Sequence, residues 1–309
     1  MTQQVAIIGA GQMGHGFAAH FIRFGLDVTL IDHRKSNLER AKCEIRDVLE
    51  FLNGQQLTTL DPAVATNAIK FTTDRLVGVN DVDLVLETIH EDLATKQAMF
   101  ENLVEETSSD TLLASNTSGL PITEIAATVP EDAGRIVGCH WWFPPYLLEP
   151  VEIIPGENTD EAFYEQLVRF VESVDRKPVR VQCDVPGFVW NRIQYAIIRE
   201  CLHLAEEGVA SLEDINMAIR DGYAVRTSAI GPLETLDYVG LDLVKTVGEN
   251  LYPELANDQT PHTLLDERIE TGRTGIDDGE GLLEYNNAPE ALLRERDERI
   301  AAIRKAREQ

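Results

Sequence analysis

The chain has 309 residues, 43% of them hydrophobic, with 53 acidic side chains against 27 basic ones and a formal net charge of −26. That length suits about two domains with a substantial core. So large an acidic excess repels phosphates and excludes nucleic acid as an expected partner. No apolar run approaches the ~18 residues of a membrane span, and Met1-Thr2-Gln3-Gln4 runs straight into a strand-like segment with no signal-peptide pattern. The expected location is therefore the cytoplasm, with no membrane partner. Cys43, Cys139, Cys183 and Cys201 are scattered and form no C-x-x-C pair, so reduced thiols are expected and a zinc site or other metal centre is not. Seven of the 27 basic residues are lysine. The acidic balance has two readings: an ordinary solvated surface, or a halophilic protein whose self-repulsion is screened over a few ångströms in a salty cytoplasm.

In chain order, apolar runs suited to buried parallel strands lie at Val5–Ile8, Val28–Ile31, Ile69–Thr72, Leu84–Leu86, Leu112–Ala114, Ile136–Gly138, Val151–Ile154 and Val179–Val181. Helical periodicity separates the early ones at Gln12–Phe24, Leu38–Leu52 and Thr95–Val104. Alternating strand and helix predicts an α/β, Rossmann-type doubly wound, mostly parallel sheet. After Asp184 the strand-like runs stop, and helical patterns follow at Gly187–Glu207, Leu212–Arg220, Leu241–Leu251 and Thr263–Thr271. The expected organisation is a nucleotide-binding domain over 1–184 and an all-helical C-terminal domain over 185–309, ending in a charged surface helix, Ala288–Gln309.

Gly9-Ala10-Gly11-Gln12-Met13-Gly14 is a G-x-G-x-x-G motif that follows a strand, opens a helix and is followed by Asp32 at the end of the next strand. That context makes it a dinucleotide fingerprint. Gly9 permits the tight turn, Gly11 lets the backbone approach a pyrophosphate, and Gly14 lets helix and strand pack closely. The helix N-terminus offers free N–H groups and a positive dipole end to the diphosphate. A carboxylate at Asp32 suits the ribose hydroxyls of NAD and repels the extra phosphate of NADP. The neighbouring Arg34 and Lys35 could instead accept that phosphate.

Ser115-Asn116-Thr117-Ser118 follows one strand, His140 ends another run, and Glu152 lies in the next. Strand C-terminal ends form the ligand crevice of a doubly wound sheet. Abstracting an alcohol proton as a hydride leaves calls for a base of near-neutral pKa, which histidine supplies, with a carboxylate to orient it. Spacing alone does not bring His140 and Glu152 together, and a lone histidine at a strand end is more often structural.

The ordered motifs resemble the L-3-hydroxyacyl-CoA dehydrogenase family over nearly the whole chain. They are the glycine motif, Phe71-Thr72-Thr73-Asp74, Asp83-Leu84-Val85-Leu86-Glu87, the Ser115–Ser118 segment, His140 with Pro144, Val151-Glu152, Pro186-Gly187-Phe188-Val189-Trp190-Asn191-Arg192, Gly231-Pro232-Leu233-Glu234, Asp237–Asp242 and Gly279-Glu280-Gly281. The resemblance implies His140 as general base, Glu152 as its partner, Ser118 as a hydroxyl on substrate and nicotinamide, and Asn191 as an amide holding substrate. It implies Glu91, Lys96 and Asn116 as cofactor contacts, and a homodimer formed through the helical domain.

Two departures bear on substrate. The family commonly has asparagine three residues after the histidine; here that position is Phe143, in His140-Trp141-Trp142-Phe143-Pro144-Pro145-Tyr146. A polar contact gives way to a ring. Arg226 lies in a lengthened lead-in to Gly231-Pro232 that resembles the branch with lambda-crystallin, gulonate and carnitine dehydrogenases. It could grip a free carboxylate or serve in an ordinary ion pair. The leading expectation is NAD-dependent oxidation of an L-3-hydroxyacyl-CoA, as in fatty-acid metabolism, with Arg34, Lys35, Arg40, Lys42 and Arg46 as cations for CoA phosphates. The alternative is the same chemistry on a free small 3-hydroxy acid or sugar acid. A third reading, a non-catalytic NAD-binding protein, is opposed by the intact Ser118, His140, Glu152 and Asn191.

Overall fold

A computed structural model describes residues 3–307; Met1, Thr2, Glu308 and Gln309, which include the last two positions of the expected tail, lie outside the described residues. The chain forms two compact units, Met1–Asn191 with Asp297–Gln309, and Arg192–Arg296.

The first unit is built on eight strands: β1 (Gln4–Ile8), β2 (Asp27–Ile31), β3 (Lys70–Thr72), β4 (Leu84–Glu87), β5 (Leu112–Ser115), β6 (Ile136–Trp141), β7 (Pro150–Pro155) and β8 (Lys177–Arg180). Their order in the sheet is β3-β2-β1-β4-β5-β6-β7-β8. All neighbours are parallel except β6 and β7. The first six strands give the doubly wound order of a Rossmann fold, with its switch point between β1 and β4.

Near-continuous apolar strands are what a sheet covered on both faces requires. Alternate residues serve opposite faces: Val5, Ile7, Leu84, Leu86, Val137 and Cys139 enter one core, while Ala6, Ile8, Val85, Leu113, Ile136 and Ile154 enter the other. Each fully buried leucine or valine contributes roughly 1.5–3 kcal/mol of transfer free energy. The flanking helices include Gln12–Phe21, Lys35–Gly54, Leu93–Glu106 and Glu161–Ser173. The last was not expected from sequence, although Tyr164, Leu167, Val168 and Val171 sit at helical spacing and are buried.

The second unit is helical. The Leu212–Met217 helix runs through a π-helical turn, Ala218–Tyr223, into Ala224–Ala229, and further helices span Pro232–Val239, Leu241–Leu251 and Thr263–Glu270. Its β content is two isolated bridges, Gly275–Glu280 and Glu280–Glu284.

Residues 185–191 and the end of the tail are placed differently from expectation, both falling in the first unit. The tail is a helix, Pro289–Arg307, but its final part joins the first unit rather than lying free on the surface. Ala301 is fully buried in the first unit's core with Ile300 packed beside it, Asp297 accepts a hydrogen bond from the Tyr146 hydroxyl at 2.6 Å, and Arg304 pairs with Asp175 at 2.9 Å. A narrow apolar face hidden among many charges suffices to dock it. No helix among the described residues is long and apolar enough to cross a membrane.

Candidate active site

The C-terminal ends of β1, β4, β5 and β6 carry the chemistry-bearing side chains. After β1 the chain turns at Gly9, whose φ of +107° is a conformation L side chains rarely adopt and whose hypothetical Cβ would meet Thr88 O at 2.6 Å. Gly14, in the first turn of the Gln12–Phe21 helix, packs so closely that a Cβ there would lie 1.8 Å from Gly9 O. A Cβ on Gly11, the helix N-cap, would meet nothing within 4 Å. That open space above free helix N–H groups is where a pyrophosphate fits, and Gln12 and Met13 supply two of those amides.

Asp32 is buried at the end of the β2 segment and accepts hydrogen bonds from Ala10 N at 3.0 Å, Arg34 N at 2.9 Å and Asn37 Nδ2 at 3.0 Å. Burial raises its carboxyl, but these donors, with His33 nearby, hold it below the usual aspartate value, so it remains an anion. Beside it opens a groove of about 300 Å³ lined by Lys35, Leu38, Lys42, Phe71 and Thr72. The glycine cradle, the anionic Asp32 and this groove together fit a dinucleotide whose ribose meets a carboxylate. That set suits NAD rather than NADP, whose extra phosphate the carboxylate repels.

Glu87 at the end of β4 is a fully buried carboxylate that sequence reasoning passed over except as part of a motif. Lys96 donates to it at 2.7 and 3.0 Å, Ser115 Oγ at 2.6 Å and Ile89 N at 2.7 Å. A charge ending an apolar strand is the signal that could have found it, since such a group must be paired. Lys96 is itself fully buried, and its ammonium also lies 3.3 Å from Glu91. Glu91 accepts from Thr117 Oγ1 at 2.6 Å, Ser118 N at 2.8 Å and Gly119 N at 3.2 Å. Burial works against its ionisation, but the Thr117 hydroxyl and Lys96 outweigh it and lower its carboxyl. Glu91 and Lys96 thus shape the loop after β5, and in this structure the lysine's hydrogen bonds go to protein carboxylates. Asn116 Oδ1 accepts from Trp141 N at 2.9 Å, tying the end of β5 to β6.

His140 and Glu152 are brought together by the antiparallel β6–β7 pair, whose register sets them directly opposite each other. Both occupy even positions, on the sheet face that carries Ile136 and Ile154. Facing residues in such a pair have neighbouring side chains, and His140 Nδ1 lies 2.6 Å from Glu152 Oε2. His140 is 4% exposed and Glu152 fully buried. The other carboxylate oxygen accepts from Val189 N at 2.8 Å and Trp190 N at 2.9 Å, at the start of the Trp190–Glu206 helix. Burial raises the Glu152 carboxyl, but the histidine and these two N–H groups more than offset it, so it is lowered overall. With Nδ1–H directed at the carboxylate, the ring's Nε2 is the atom that can take a proton.

Asn191 Nδ2 donates to Ser118 O at 2.6 Å, bringing those two predicted residues together, and the Ser118 residue is exposed. Phe143 is half-buried in the loop after β6. Arg226 is exposed on the Ala224–Ala229 helix of the second unit.

Residues 4–185 match the family model described as 3-hydroxyacyl-CoA dehydrogenase, NAD binding domain, and residues 187–285 match the corresponding C-terminal domain. The chain is 34% identical over 308 residues to the 5-formyl-3-hydroxy-2-methylpyridine 4-carboxylate 5-dehydrogenase of Mesorhizobium japonicum, covering 99% of this chain and 98% of that one. It is 33% identical over 294 residues to the mitochondrial hydroxyacyl-coenzyme A dehydrogenase of Homo sapiens, covering 92% of each. Among solved structures, a 5-formyl-3-hydroxy-2-methylpyridine 4-carboxylic acid 5-dehydrogenase, described as an NAD+ dependent dismutase, matches at 34% identity with a TM-score of 0.91, covering 100% of this chain and 99% of that one. The (S)-3-hydroxybutyryl-CoA dehydrogenase from Ralstonia eutropha matches at 30% identity with a TM-score of 0.74, covering 93% and 100%.

Proposed function

The chain belongs to the 3-hydroxyacyl-CoA dehydrogenase family of NAD-dependent oxidoreductases, and from that premise we propose that it oxidises the hydroxyl-bearing carbon of a small free carboxylic acid, with His140 as general base and Glu152 as its partner. The 2.6 Å contact between those two side chains carries the chemistry. His140 Nε2 takes the alcohol proton, and Glu152, held anionic by His140 and the Val189 and Trp190 N–H groups, stabilises the imidazolium that results. NAD, when bound, supplies the hydride acceptor. Gly9, Gly11, Gly14 and Asp32 hold it by its diphosphate and ribose, Asn116 lines its nicotinamide end, and Ser118 and Asn191 orient the substrate.

Two observations support a substrate without CoA. The Trp142–Trp190 stack at 3.9 Å, with Trp142 beside Glu152, gives the dyad an aromatic neighbour, and the next residue, Phe143, replaces the family's usual amide with a ring. The match to the pyridine-carboxylate dehydrogenase also runs the full length of both chains, including the helix Pro289–Arg307 that lies beyond the matched C-terminal family domain. In this reading Arg226 meets the carboxylate. The second reading, an L-3-hydroxyacyl-CoA substrate, is favoured by the similarity to the human and Ralstonia enzymes.

A substrate panel in molar KCl decides between them, following NADH formation with 3-hydroxybutyryl-CoA, free 3-hydroxy acids and hydroxymethyl pyridine carboxylates. The expected result is a kcat/KM at least tenfold higher on a free acid, with its KM raised in Arg226→Met. A preference for the thioester would overturn the free-acid proposal and leave the dyad untouched.

The same proposal sets the protein in a salty cytoplasm as a homodimer. Its second unit exposes Leu233, Tyr238, Leu241 and Tyr252, each more than 60% accessible, which suits an apolar interface. With a net charge of −26 and a screening length of roughly 3 Å at 1 M salt, Tm rises by several degrees between low salt and molar KCl. Equal or greater stability in low salt sinks the halophilic reading.

A further inference from the structure

We propose that Trp142 is a positioning residue for the His140–Glu152 pair, sharing one carboxylate oxygen with the histidine and braced there by Trp190. The idea rests on His140 being the base. Strand alternation separates the two adjacent tryptophans of the His140-Trp141-Trp142 run. Trp141 turns into the core, where its indole donates to Cys139 Sγ at 3.1 Å and its ring packs edge-on against Phe17 and Phe21. Trp142, one residue past the end of β6, falls on the side of His140.

There its indole N–H points at Glu152 Oε2 from 3.5 Å, the same oxygen that His140 Nδ1 approaches to 2.6 Å. The Trp142 and Trp190 rings stack with centroids 3.9 Å apart and planes 22° from parallel. Trp190 also donates its backbone N–H to Glu152 Oε1 at 2.9 Å. One carboxylate therefore ties together the end of β6, the base, and the start of the following helix, and the stack closes the ring of contacts.

Trp142 acts on the base through the charge it draws from the carboxylate. A hydrogen bond to a carboxylate stabilises its anionic form, and a carboxylate so stabilised supports an adjacent imidazolium less strongly. Phenylalanine at this position keeps an aromatic face for Trp190 and loses only the donor. The long N···O distance makes the interaction a weak one, so the shift is small but has a definite sign. Against the His140 ring lie the Glu152 carboxylate from β7 and the Phe188 ring at 5.8 Å, while its chain neighbour Cys139 turns to the opposite face of the sheet. Of these, Glu152 is the group charged at neutral pH.

The test is a histidine 13C NMR titration of the full-length protein in molar KCl, with His140 assigned by the resonance lost in His140→Gln. Trp142→Phe is expected to raise the His140 midpoint by about 0.3–0.5 pH units and to move the acid limb of kcat the same way, leaving KM for NAD unchanged. Trp142→Leu, which also removes the stack, is expected to lower kcat further. A Trp142→Phe midpoint that stays within 0.1 units or moves down overturns the proposal, whether or not the leucine variant folds. The NMR readout needs no turnover, so it remains separable from the base assignment, which fails if His140→Gln keeps its activity.

Discussion

Replacing His140 with glutamine is expected to lower kcat by about two to four decades, the scale of general-base removal, while NAD binding stays intact. His140 meets Glu152 across the β6–β7 pair, away from the glycine turn proposed to take the diphosphate. Glu152→Gln is expected to act more gently, by about one to two decades, because the amide oxygen can still accept from Val189 N or Trp190 N. It also carries a sign. Loss of the anion withdraws support from the imidazolium, so the acid limb of kcat moves to lower pH, opposite to the movement expected for Trp142→Phe. Steady-state kinetics from pH 5 to 9 separate the two variants. Near-normal turnover in His140→Gln would falsify the dyad assignment.

Gly11→Ala and Gly14→Ala form the second pair. An alanine Cβ at position 14 would lie 1.8 Å from the Gly9 carbonyl oxygen, far inside any real contact, and the clashing atom is backbone. The turn and the first helix must separate, so both Tm and NAD affinity fall. The loss of affinity is expected to be 100-fold or more, about 2.7 kcal/mol. At position 11 the same methyl group meets nothing within 4 Å in the free protein. Gly11→Ala is therefore expected to melt within a degree or two of the parent yet bind NADH at least tenfold more weakly, because the methyl occupies the space the pyrophosphate needs. Calorimetry of folding and fluorescence titration with NADH measure the two effects separately. If Gly11→Ala binds NADH as the parent does, the open space above the helix N-terminus is not the diphosphate site.

The nucleotide half of the site was legible in the sequence because its signals are local. Gly9 to Gly14, the helix they open and Asp32 at the end of β2 depend on backbone conformation and on one strand–helix–strand unit, and each expected strand from Val5–Ile8 to Val179–Val181 overlaps an observed one. Two-sided burial also follows from composition, since runs such as Leu84-Val85-Leu86 have no polar face to offer solvent. The proposed catalytic pair was legible only in its members. His140 and Glu152 are twelve residues apart, and their contact depends on β7 returning antiparallel to β6 in one register; a shift of one residue would turn Glu152 to the opposite face. No local pattern encodes that register; the resemblance to a known family implied only that the two residues are partners. The pairing of buried Lys96 with buried Glu87 and the more exposed Glu91, and the packing of Ala301 and Asp297 within the first unit, were decided by tertiary structure. Lys96 reads in sequence as a cofactor contact and Asp297 as part of a charged surface helix, and only the three-dimensional arrangement supplies the Glu87 carboxylate and the Tyr146 hydroxyl that make their burial affordable.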